Sequence, residues 1–376
     1  MKAIKLPFKV KRPILATGAD IKGSFALADG GAAYLFEGFN DLRDICNMSR
    51  FSEAVRSASK RLGIQPRVIA CDHHPGYSST RFAQMYGLEN FIEKFLDIQH
   101  HEANVASAIV DNDIKEGVIG AAFDGTGLGW DGCIWGGVFL VGSPKSFKRE
   151  AHFEYVPMPG AEAAITQPWR MAAAHLYGAF GADFLRLGIA FTGKLDRGKW
   201  RIIKKMIDRR INSPQTSSAG RLFDAAAAMV LCRMRSEGEA SLPVEFERIA
   251  AGGRSDFYGF DIKTDAGKLL VGYKRLFDGM VKDISKGMSR AVISAKFHNT
   301  VSRVICEVAL RLRKTTGKKA VVLSGGVFQN RYLTARAVKD LRSLDFIVFT
   351  HSRISANDSG IPIGQIAIAN ARPQCA

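Results

Sequence analysis

Residues 117–127 read GVIGAAFDGTG, a run of small and apolar residues that ends in an aspartate and a glycine-rich turn. Such an apolar run predicts a strand buried on both faces, as in the centre of an α/β sheet. A carboxylate after a buried strand, followed by glycines, lets backbone N–H groups approach a phosphate while Asp124 holds a cation or a water molecule. The same Asp-Gly pair is also typical of a tight hairpin turn, so both interpretations stay open.

Strand and helix patterns alternate on both sides of this stretch. Apolar runs bounded by turn residues predict strands in 14–27, 32–36, 68–71, 133–141, 319–324 and 346–349. Helical periodicity covers 51–62, 78–86, 99–110, 169–177, 199–211, 222–235, 244–251 and 294–314, with further helices from Asn330 and after Pro362. This alternation predicts an α/β architecture.

The composition excludes several classes of protein. With 47% hydrophobic and 24% charged residues, the 376-residue chain is neither disordered nor fibrous. No apolar stretch approaches the roughly 18 residues of a membrane span, and the basic N-terminus lacks the apolar core of a secretory signal. Six cysteines without a C-x-x-C pair argue against a zinc ribbon or a thioredoxin-type centre. We therefore expect a cytoplasmic protein with reduced thiols, most of them in the core.

The formal charge of +17 is the one unusual number. It suits nucleic acid, a membrane surface or a polyanionic ligand. No aromatic residues are interleaved with the basic ones as a base-stacking platform, so nucleic acid is the minority interpretation. The remaining interpretations are solvated helix surface and a docking face for a partner protein. The basic residues concentrate in two groups, of which the first lies on one predicted helix: Lys199, Arg201, Lys204, Lys205, Arg209 and Arg210, and then Arg311, Arg313, Lys314, Lys318 and Lys319.

Two other segments with small residues precede predicted helices. Residues 323–330 read LSGGVFQN, and unhindered backbone at a helix N-terminus suits an anion or the edge of a nucleotide. The Gly-Lys-Ser/Thr of a Walker loop does not follow. Residues 216–224 read TSSAGRLFD, where the hydroxyl side chains serve as a helix cap or as partners of a ribose or phosphate.

Histidine and aspartate side chains mark three more segments. In QHHEAN, residues 99–104, His100 and Asn104 share one helix face; two histidines at that spacing would indicate a metal, whereas a single one is also typical of a structural histidine. Residues 71–81 read CDHHPGYSSTR, which is a capped strand-to-helix loop or a site where Arg81 grips an anion. The segment NDSG at 357–360 places Asp358 where a helix cap is the commoner use.

The order of these motifs along the chain resembles one known domain. D-x-H-P-x-Y-x-S-T-R, Q-H-H-x-A, D-G-T-G, S-S-A-G-R-L-F-D-A, F-H-N-T, S-G-G-V-F-Q-N-R and N-D-x-G-I follow each other as in the C-terminal carbamoyltransferase domain of HypF, a maturation factor for [NiFe]-hydrogenases. The resemblance spans about residues 12–372. It implies the two-lobed, actin-like ATPase (ASKHA) fold shared with the TsaD tRNA-modifying proteins. We expect a first α/β lobe in 1–141 and a second, helix-rich α/β lobe in 142–376, whose last helix packs back on the first.

The resemblance also implies a chemistry: carbamoyl transfer from ATP-derived carbamoyl adenylate to the C-terminal cysteine of HypE, with release of AMP and with one divalent metal, Fe, Zn or Mg. The residues it assigns to catalysis are Lys22, His74, Arg81 and Asp124. Those it assigns to the metal are His100, Asn104, Asp124 and Asp358. Those it assigns to the nucleotide are Gly125, Thr126, Gly127, Ser218, Gly220, Arg221, Asp224, Ser324, Gly325, Gly326 and Asn330.

Three positions depart from the family pattern. Asn104 stands for a second histidine, Val138 for the glutamate of W-G-G-E-F, and Ser359 for a glycine of N-D-G-G. These departures keep two alternatives open: a catalytically attenuated nucleotide-binding scaffold that regulates maturation, and a carbamoyltransferase with a small-molecule or tRNA acceptor. The expected partners are a HypE-like acceptor protein and a separate YrdC-like protein that forms carbamoyl adenylate, with no membrane and no nucleic acid.

Overall fold

Short strands and helices alternate along the whole described chain. The computed structural model describes residues 1–92 and 94–372, so Cys375 lies outside the described residues. The strands are β1 (Lys2–Lys5), β2 (Ile14–Ala16), β3 (Phe25–Asp29), β4 (Ala32–Phe36), β5 (Val68–Asp72), β6 (Lys94–Ile98), β7 (Val118–Phe123), β8 (Gly137–Ser143), β9 (Ser146–Phe153), β10 (Val156–Pro157), β11 (Gln215–Thr216), β12 (Asp261–Asp265), β13 (Lys268–Gly272), β14 (Ala320–Ser324) and β15 (Ile347–Phe349).

The helices are concentrated between the strands of the second half. They are α1 (Ile45–Leu62), α2 (Ser78–Glu89), α3 (His100–Asp111), α4 (Ala163–Thr166), α5 (Trp169–Phe180), α6 (Ala190–Lys194), α7 (Arg197–Asp208), α8 (Ala219–Leu231), α9 (Ser241–Arg248), α10 (Lys274–Ser285), α11 (Arg290–Thr316), α12 (Arg331–Arg342) and α13 (Ile361–Ala371). Short 3-10 helices cover Gly181–Arg186, Gly326–Gln329 and Asp358–Gly360. No helix in the described ranges combines the length and the apolar character that crossing a membrane needs.

Two sheets repeat the same arrangement of strands. The first has six strands in the order β1-β4-β3-β2-β5-β6, and the second has seven in the order β12-β13-β9-β8-β7-β14-β15. In each sheet, three consecutive strands form an antiparallel meander (β2-β3-β4 and β7-β8-β9), and two later strands add in parallel beside the first of the three. The predicted α/β architecture with two lobes is confirmed.

The central strands follow from their sequences. All six residues of β7 and all five of β14 are buried, as expected where both faces of a sheet are covered. The predicted helix over 51–62 is confirmed within α1, which Asp44 caps at its start and Gly63 ends with a φ of 63°. The hairpin β12–β13 is not predicted, because its strands carry little apolar alternation and the last three residues of β12 are exposed.

The expected lobe boundary at residue 141 does not separate the two sheets. β7 and β8 belong to the second sheet, because β7 pairs in parallel with β14, Ile119 beside Val321. That pairing joins distant parts of the chain, so the local pattern around residue 141 contains no sign of it. The chain passes from one sheet to the other at α3.

Two helices fill the space between the sheets. The Ala106 face of α3 packs in the core of the first sheet, and the Val105 face packs against the second. α13 lies beside α3 and against β2 and β5, although it follows the last strand of the second sheet. α3 and α13 therefore bring the ends of their preceding loops together at the interface of the lobes.

Candidate active site

A cleft of about 340 Å³ opens between the two lobes. The first lobe contributes Ile21 and Lys22 from the turn between β2 and β3. The second lobe contributes the ends of β7 and β14, the start of α8 and the residues around α9. The ends of neighbouring strands in an α/β sheet are where ligand sites commonly form, and this cleft is at such a position.

Asp124 stands at the end of β7 on the floor of the cleft, only 8% exposed. Its own turn holds the side chain, because Gly125 N–H donates to Asp124 Oδ1 at 2.8 Å. Ser218 Oγ donates to the backbone carbonyl of Asp124 at 2.7 Å, and Gly220 N–H donates to the same oxygen at 3.0 Å. A Cβ at Gly220 would lie 2.8 Å from the Cα of Gly125, so the close contact of these loops requires glycine.

His100 is surrounded by three carboxylates. Its Nδ1 lies 2.8 Å from Asp72 Oδ2, while its Nε2 lies 3.6 Å from both Asp124 Oδ2 and Asp358 Oδ1. The Nε2 atom is buried and has no hydrogen-bond partner among the described residues. An aspartate that accepts a hydrogen bond from Nδ1–H fixes the ring so that Nε2 points to the other two carboxylates. One nitrogen and two carboxylate oxygens within 4.8 Å of one another thus form a ligand set for a divalent cation.

The electrostatics of this cluster also favour a cation. Burial by itself lowers the pKa of His100, but the surrounding carboxylates of Asp124, Asp358 and Asp72 raise that pKa well above its ordinary value. Burial raises the pKa of Asp358, and the neighbouring Asp124 and Asp72 carboxylates act in the same direction. Two carboxylates that lie together in a buried place need a positive charge between them.

Asn104 lies one helical turn after His100 on α3, as predicted, but acts as a hydrogen-bond donor. Its Nδ2 donates to Asp124 Oδ2 at 3.0 Å. The amide therefore occupies a lone pair of the carboxylate oxygen that faces His100, and it offers no imidazole. The adjacent His101 does not replace it, because its Nδ1 is bonded to Gln99 Nε2 at 2.9 Å and its ring packs by Trp135.

The start of α8 places a cation and apolar side chains in the cleft. Ser218 caps the helix by accepting from Arg221 N–H, and the side chain of Arg221 lines the cleft. Asp224 lies behind it, with its Oδ2 2.8 Å from Arg221 Nε. Burial raises the pKa of Asp224 to about 6, against the opposing effect of the guanidinium. The residues around α9 that line the cleft are mixed, with the apolar Pro243 and Val244 between Glu239 and Glu247.

The S-G-G segment forms the second tight turn of the cleft. Gly325 has a φ of 100°, and a Cβ there would lie 2.3 Å from the carbonyl oxygen of Phe123. Gly326 and Asn330 line the cleft, and Asn330 also caps α12 by accepting from Leu333 N–H at 2.8 Å. Ser324 instead is buried beneath the turn, where its Oγ donates to Asn104 O at 2.7 Å.

The predicted site residues therefore divide into three groups. Those that line the cleft are Lys22, Asp124, Gly125, Thr126, Gly220, Arg221, Gly326, Asn330 and Asp358. Those that support the lining from behind are His100, Asn104, Ser218, Asp224, Ser324 and Gly325. Those that do not line the cleft are His74, Arg81 and Gly127.

The side chains of this last group have other surroundings. His74 stacks on Tyr77 with 4.3 Å between ring centroids, and its Nδ1 accepts from Gly76 N–H. Arg81 is exposed on α2. Gly127 lies against the ring of His101, which a Cβ would approach to 2.5 Å. Sequence order alone does not distinguish a loop beside the site from a loop within it.

Two findings go beyond the sequence analysis. Asp72 orients His100, and the signal that could have identified it is a carboxylate at the end of a buried strand, the same signal as at Asp124. Val138, a residue of β8, is fully buried on the side that faces α3, in one cluster with Val105 and Trp135. The valine therefore faces the core, and its difference from glutamate leaves the carboxylates of the cleft unchanged.

Two family descriptions match successive parts of the chain. Residues 9–111 match the family described as HypF Kae1-like domain, and residues 120–365 match the family described as carbamoyltransferase, Kae1-like domain, second subdomain. The first match ends with α3 and the second begins within β7, where the chain passes from the first sheet to the second.

Individual relatives match over nearly the whole chain. A carbamoyltransferase HypF homolog of Cupriavidus necator is 31% identical over 97% of this chain and 93% of its own length. Carbamoyltransferase HypF of Synechocystis sp. is 30% identical over 96% of this chain but 48% of its own length. The crystal structure of full-length HypF in the phosphate- and nucleotide-bound form has 36% identity and a TM-score of 0.92, covering 98% of this chain and 57% of that one. The overlap confirms the predicted actin-like fold, and the chain spans about half of the length of two of these three proteins, 48% and 57%.

Proposed function

The chain belongs to the HypF family of carbamoyltransferases, and on this premise we propose that it transfers the carbamoyl group of carbamoyl adenylate to the C-terminal cysteine of a HypE-like protein. A YrdC-like activity would supply the carbamoyl adenylate. The observation that carries the proposal is the buried Nε2 of His100, unpartnered and aimed at Asp124 and Asp358 on the floor of the cleft.

His100, Asp124 and Asp358 would hold the divalent metal. The donor set fits a cation, because a carboxylate already orients the imidazole and two further carboxylates face its free nitrogen. A cation bound there supplies Lewis-acid polarisation of carbonyl or phosphate oxygens. Its position beside the D-G-T-G turn agrees with that use, since the turn is where phosphate would approach backbone N–H groups.

The residues of the second lobe would hold the adenylate. Arg221 offers guanidinium N–H groups to the phosphate, and Asp224 keeps the guanidinium oriented from behind. Phe223 and Val244 provide apolar wall on the side where the adenosine would lie. Gly326 leaves the backbone uncovered near Asp124 Oδ1, so a ligand can approach that carboxylate closely.

The transfer step places the acceptor at the mouth of the cleft. The cysteine thiolate attacks the carbamoyl carbon, the C–S bond forms, the bond between that carbon and the phosphate oxygen breaks, and AMP leaves with the electron pair. The protein's part is to hold the mixed anhydride and the thiolate in line and to exclude water from the anhydride. Lys22, on the first-lobe side of the mouth, adds a positive charge near the arriving thiolate.

A second candidate function is supported by Asn104. Because its amide donates to Asp124 rather than adding an imidazole, the cluster has one nitrogen ligand fewer than the family pattern. A chain with a weakened metal site would still bind nucleotide through the second lobe. It would then act as a catalytically attenuated scaffold or regulator of maturation.

The deciding experiment mixes the chain with carbamoyl adenylate and a peptide of the HypE C-terminus, and follows the peptide by mass spectrometry. We expect thiocarbamate on the peptide and a stoichiometric amount of AMP. A peptide with serine in place of the cysteine should gain no mass. The variant Asp358→Asn should lose about a hundredfold or more in rate, because removing one charged group from a catalytic cation site costs several kcal/mol.

Other outcomes separate the alternatives. Tight binding of ATP in calorimetry without any transfer would refute the enzyme and favour the scaffold. Release of AMP with carbamate on a small alcohol or on tRNA, but not on the peptide, would keep the chemistry and replace the acceptor.

A further inference from the structure

A second concave surface lies outside the cleft, on the second lobe. It is a groove of about 480 Å³ between α4, the start of α5 and α7, which we call the α7 groove. Its floor is apolar and includes Trp169, Ile203 and Met206. Ile202 lines it too and is 62% exposed.

The α7 groove carries positive charge that the chain itself does not neutralise. Arg170, Lys199 and Arg235 line it, and within the described ranges none of the three has a carboxylate within 4.0 Å. Arg170 is half-buried and donates from Nε to Gln167 Oε1 at 2.9 Å instead. Of the acidic side chains at the two ends of α7, Asp196 accepts from the backbone N–H of Lys199 at 3.0 Å and Asp208 is paired with Lys204. An apolar floor beneath unpaired cations is complementary to an anionic, amphipathic ligand.

The α7 groove is the reverse side of the cleft wall. Within α4, Ile165 lines the cleft whereas Ala163 lines the groove. The loop between α8 and α9 does the same, with Glu239 in the cleft and Arg235 in the groove. A molecule bound in the groove is therefore separated from the cleft by one helical turn and one loop.

We propose that the α7 groove docks an acidic segment of the acceptor protein, with a large apolar side chain of that segment on the floor around Met206. The proposal rests on the proposed function, because it assumes that the acceptor is a protein. A cleft of about 340 Å³ has room for a nucleotide and the end of a chain, so the body of an acceptor must find its contacts outside the cleft. Among the described residues, Trp169 alone of the aromatic side chains lines the groove, and at 6% exposed it offers no platform for stacking bases.

Charge reversal in the groove tests the proposal. The double variant Lys199→Glu/Arg235→Glu changes two exposed side chains that line the groove. Neither residue lines the cleft or belongs to the cluster of His100, Asp124 and Asp358. Carbamoyl transfer is measured with two substrates, purified full-length HypE and a synthetic peptide of its C-terminal residues. We expect KM for HypE to rise about tenfold or more, because repulsion replaces attraction at two charges, with kcat and the peptide KM unchanged.

A matched control carries the same change in net charge elsewhere. Lys145→Glu/Lys263→Glu alters two exposed lysines, in the β8–β9 turn and on β12, that line neither the groove nor the cleft. This variant should keep the wild-type KM for both substrates. An equal rise of KM for HypE in both variants would show a general charge effect and overturn the proposal. An unchanged KM in the groove variant would overturn it as well.

A direct binding measurement tests, independently of catalysis, whether the groove docks the acceptor. Wild type and both variants are passed over immobilised HypE in biolayer interferometry, and over an immobilised 20-nucleotide poly-uridine RNA. Weakened binding to HypE in the groove variant alone supports the proposal even when no transfer is observed, which would refute only the proposed function. Binding to the RNA that the groove variant alone loses, with HypE binding unaffected, would assign the surface to nucleic acid and overturn it.

Discussion

At the scale of single residues, Asn104 decides how tightly the cluster can bind a transition metal. Zinc and iron gain more from an imidazole than from a carboxylate, whereas magnesium prefers oxygen ligands. With His100 as its one nitrogen ligand, and with Asn104 bonded to Asp124, the cluster is oxygen-rich. The identity of residue 104 therefore matters more for the choice of metal than for the presence of a site.

The variant Asn104→His should raise the affinity for Zn²⁺ by about 10- to 100-fold, because a second imidazole comes within one helical turn of the first. The affinity is measured by competition with a chromophoric chelator. Asn90→His, at the end of α2 and away from the cluster, adds a histidine without adding a ligand and should leave the affinity as it is. Equal gains in both variants would mean that the extra histidine binds zinc on its own.

Asp224 makes the stability of the fold depend on pH. Burial raises its pKa from 3.8 to about 6, so the native state binds this proton more tightly than the unfolded chain does. The resulting stabilisation is fully present below about pH 4 and is lost as the pH rises through about 6, a change of roughly 3 kcal/mol. Asp224→Asn stays neutral, and it should therefore gain that amount relative to wild type between pH 4 and pH 7.5.

The comparison is made by urea unfolding at both pH values. Asp265→Asn, at an exposed position of β12, serves as the control. Its free energy of unfolding should differ from that of wild type by the same amount at both pH values. If the free energies of unfolding of wild type and Asp224→Asn differed by the same amount at both pH values, the raised pKa of the buried Asp224 would be contradicted.

The candidate site could be predicted in part from residue types and order. His100, Asp124 and Asp358 stand in recognisable segments, and the structure brings them together. What the sequence could not show is direction. Val138 and His101 point away from the cleft, and Asp72 points into the cluster. Where a side chain points depends on which sheet its strand joins and on how its helix is rotated. The local sequence pattern predicts neither of these.

At the scale of elements, the strands and helices with strong patterns are found close to where the sequence predicts them. β7 and α3 each begin and end within one residue of the predicted ranges. The pairing of β7 with β14 is different, because it forms between distant segments and brings β7 into the second sheet. Local pattern therefore predicts elements well and their partners poorly.

Gly364 on α13 allows this helix to pack closely against α3. A Cβ at Gly364 would lie 1.8 Å from the carbonyl oxygen of Ala103. Gly364→Ala must therefore push the helices apart and should lower the free energy of unfolding by about 3 kcal/mol, as overpacking of a core does. Gly193→Ala, in α6 with nothing within 4 Å of its new Cβ, should be neutral or slightly stabilising. Denaturant unfolding of both variants is the measurement, and equal stabilities would contradict the tight contact.

At the scale of the whole molecule, two exposed ion pairs join the lobes across the mouth of the cleft. Arg43 Nη1 lies 2.8 Å from Glu162 Oε1, and Lys22 Nζ lies 3.4 Å from Glu239 Oε2. Each pair is exposed and contributes at most about 1 kcal/mol. That amount is small against the stability of the fold but comparable to the free energy that separates open and closed states of a two-lobed protein.

Reversing one of these charges should therefore change ligand release and leave folding alone. Glu162→Lys puts two cations together at the mouth, which favours the open cleft, and the dissociation rate of a fluorescent ATP analogue in stopped flow should rise about three- to tenfold. The effect should shrink in 0.5 M salt, because exposed charges are screened. Arg43→Gln/Glu162→Lys removes the repulsion and should return the rate towards wild type, while Glu53→Lys on α1 makes the same charge change without facing the cleft. Unaltered dissociation in Glu162→Lys would mean that the lobes are held by the shared helices α3 and α13 alone.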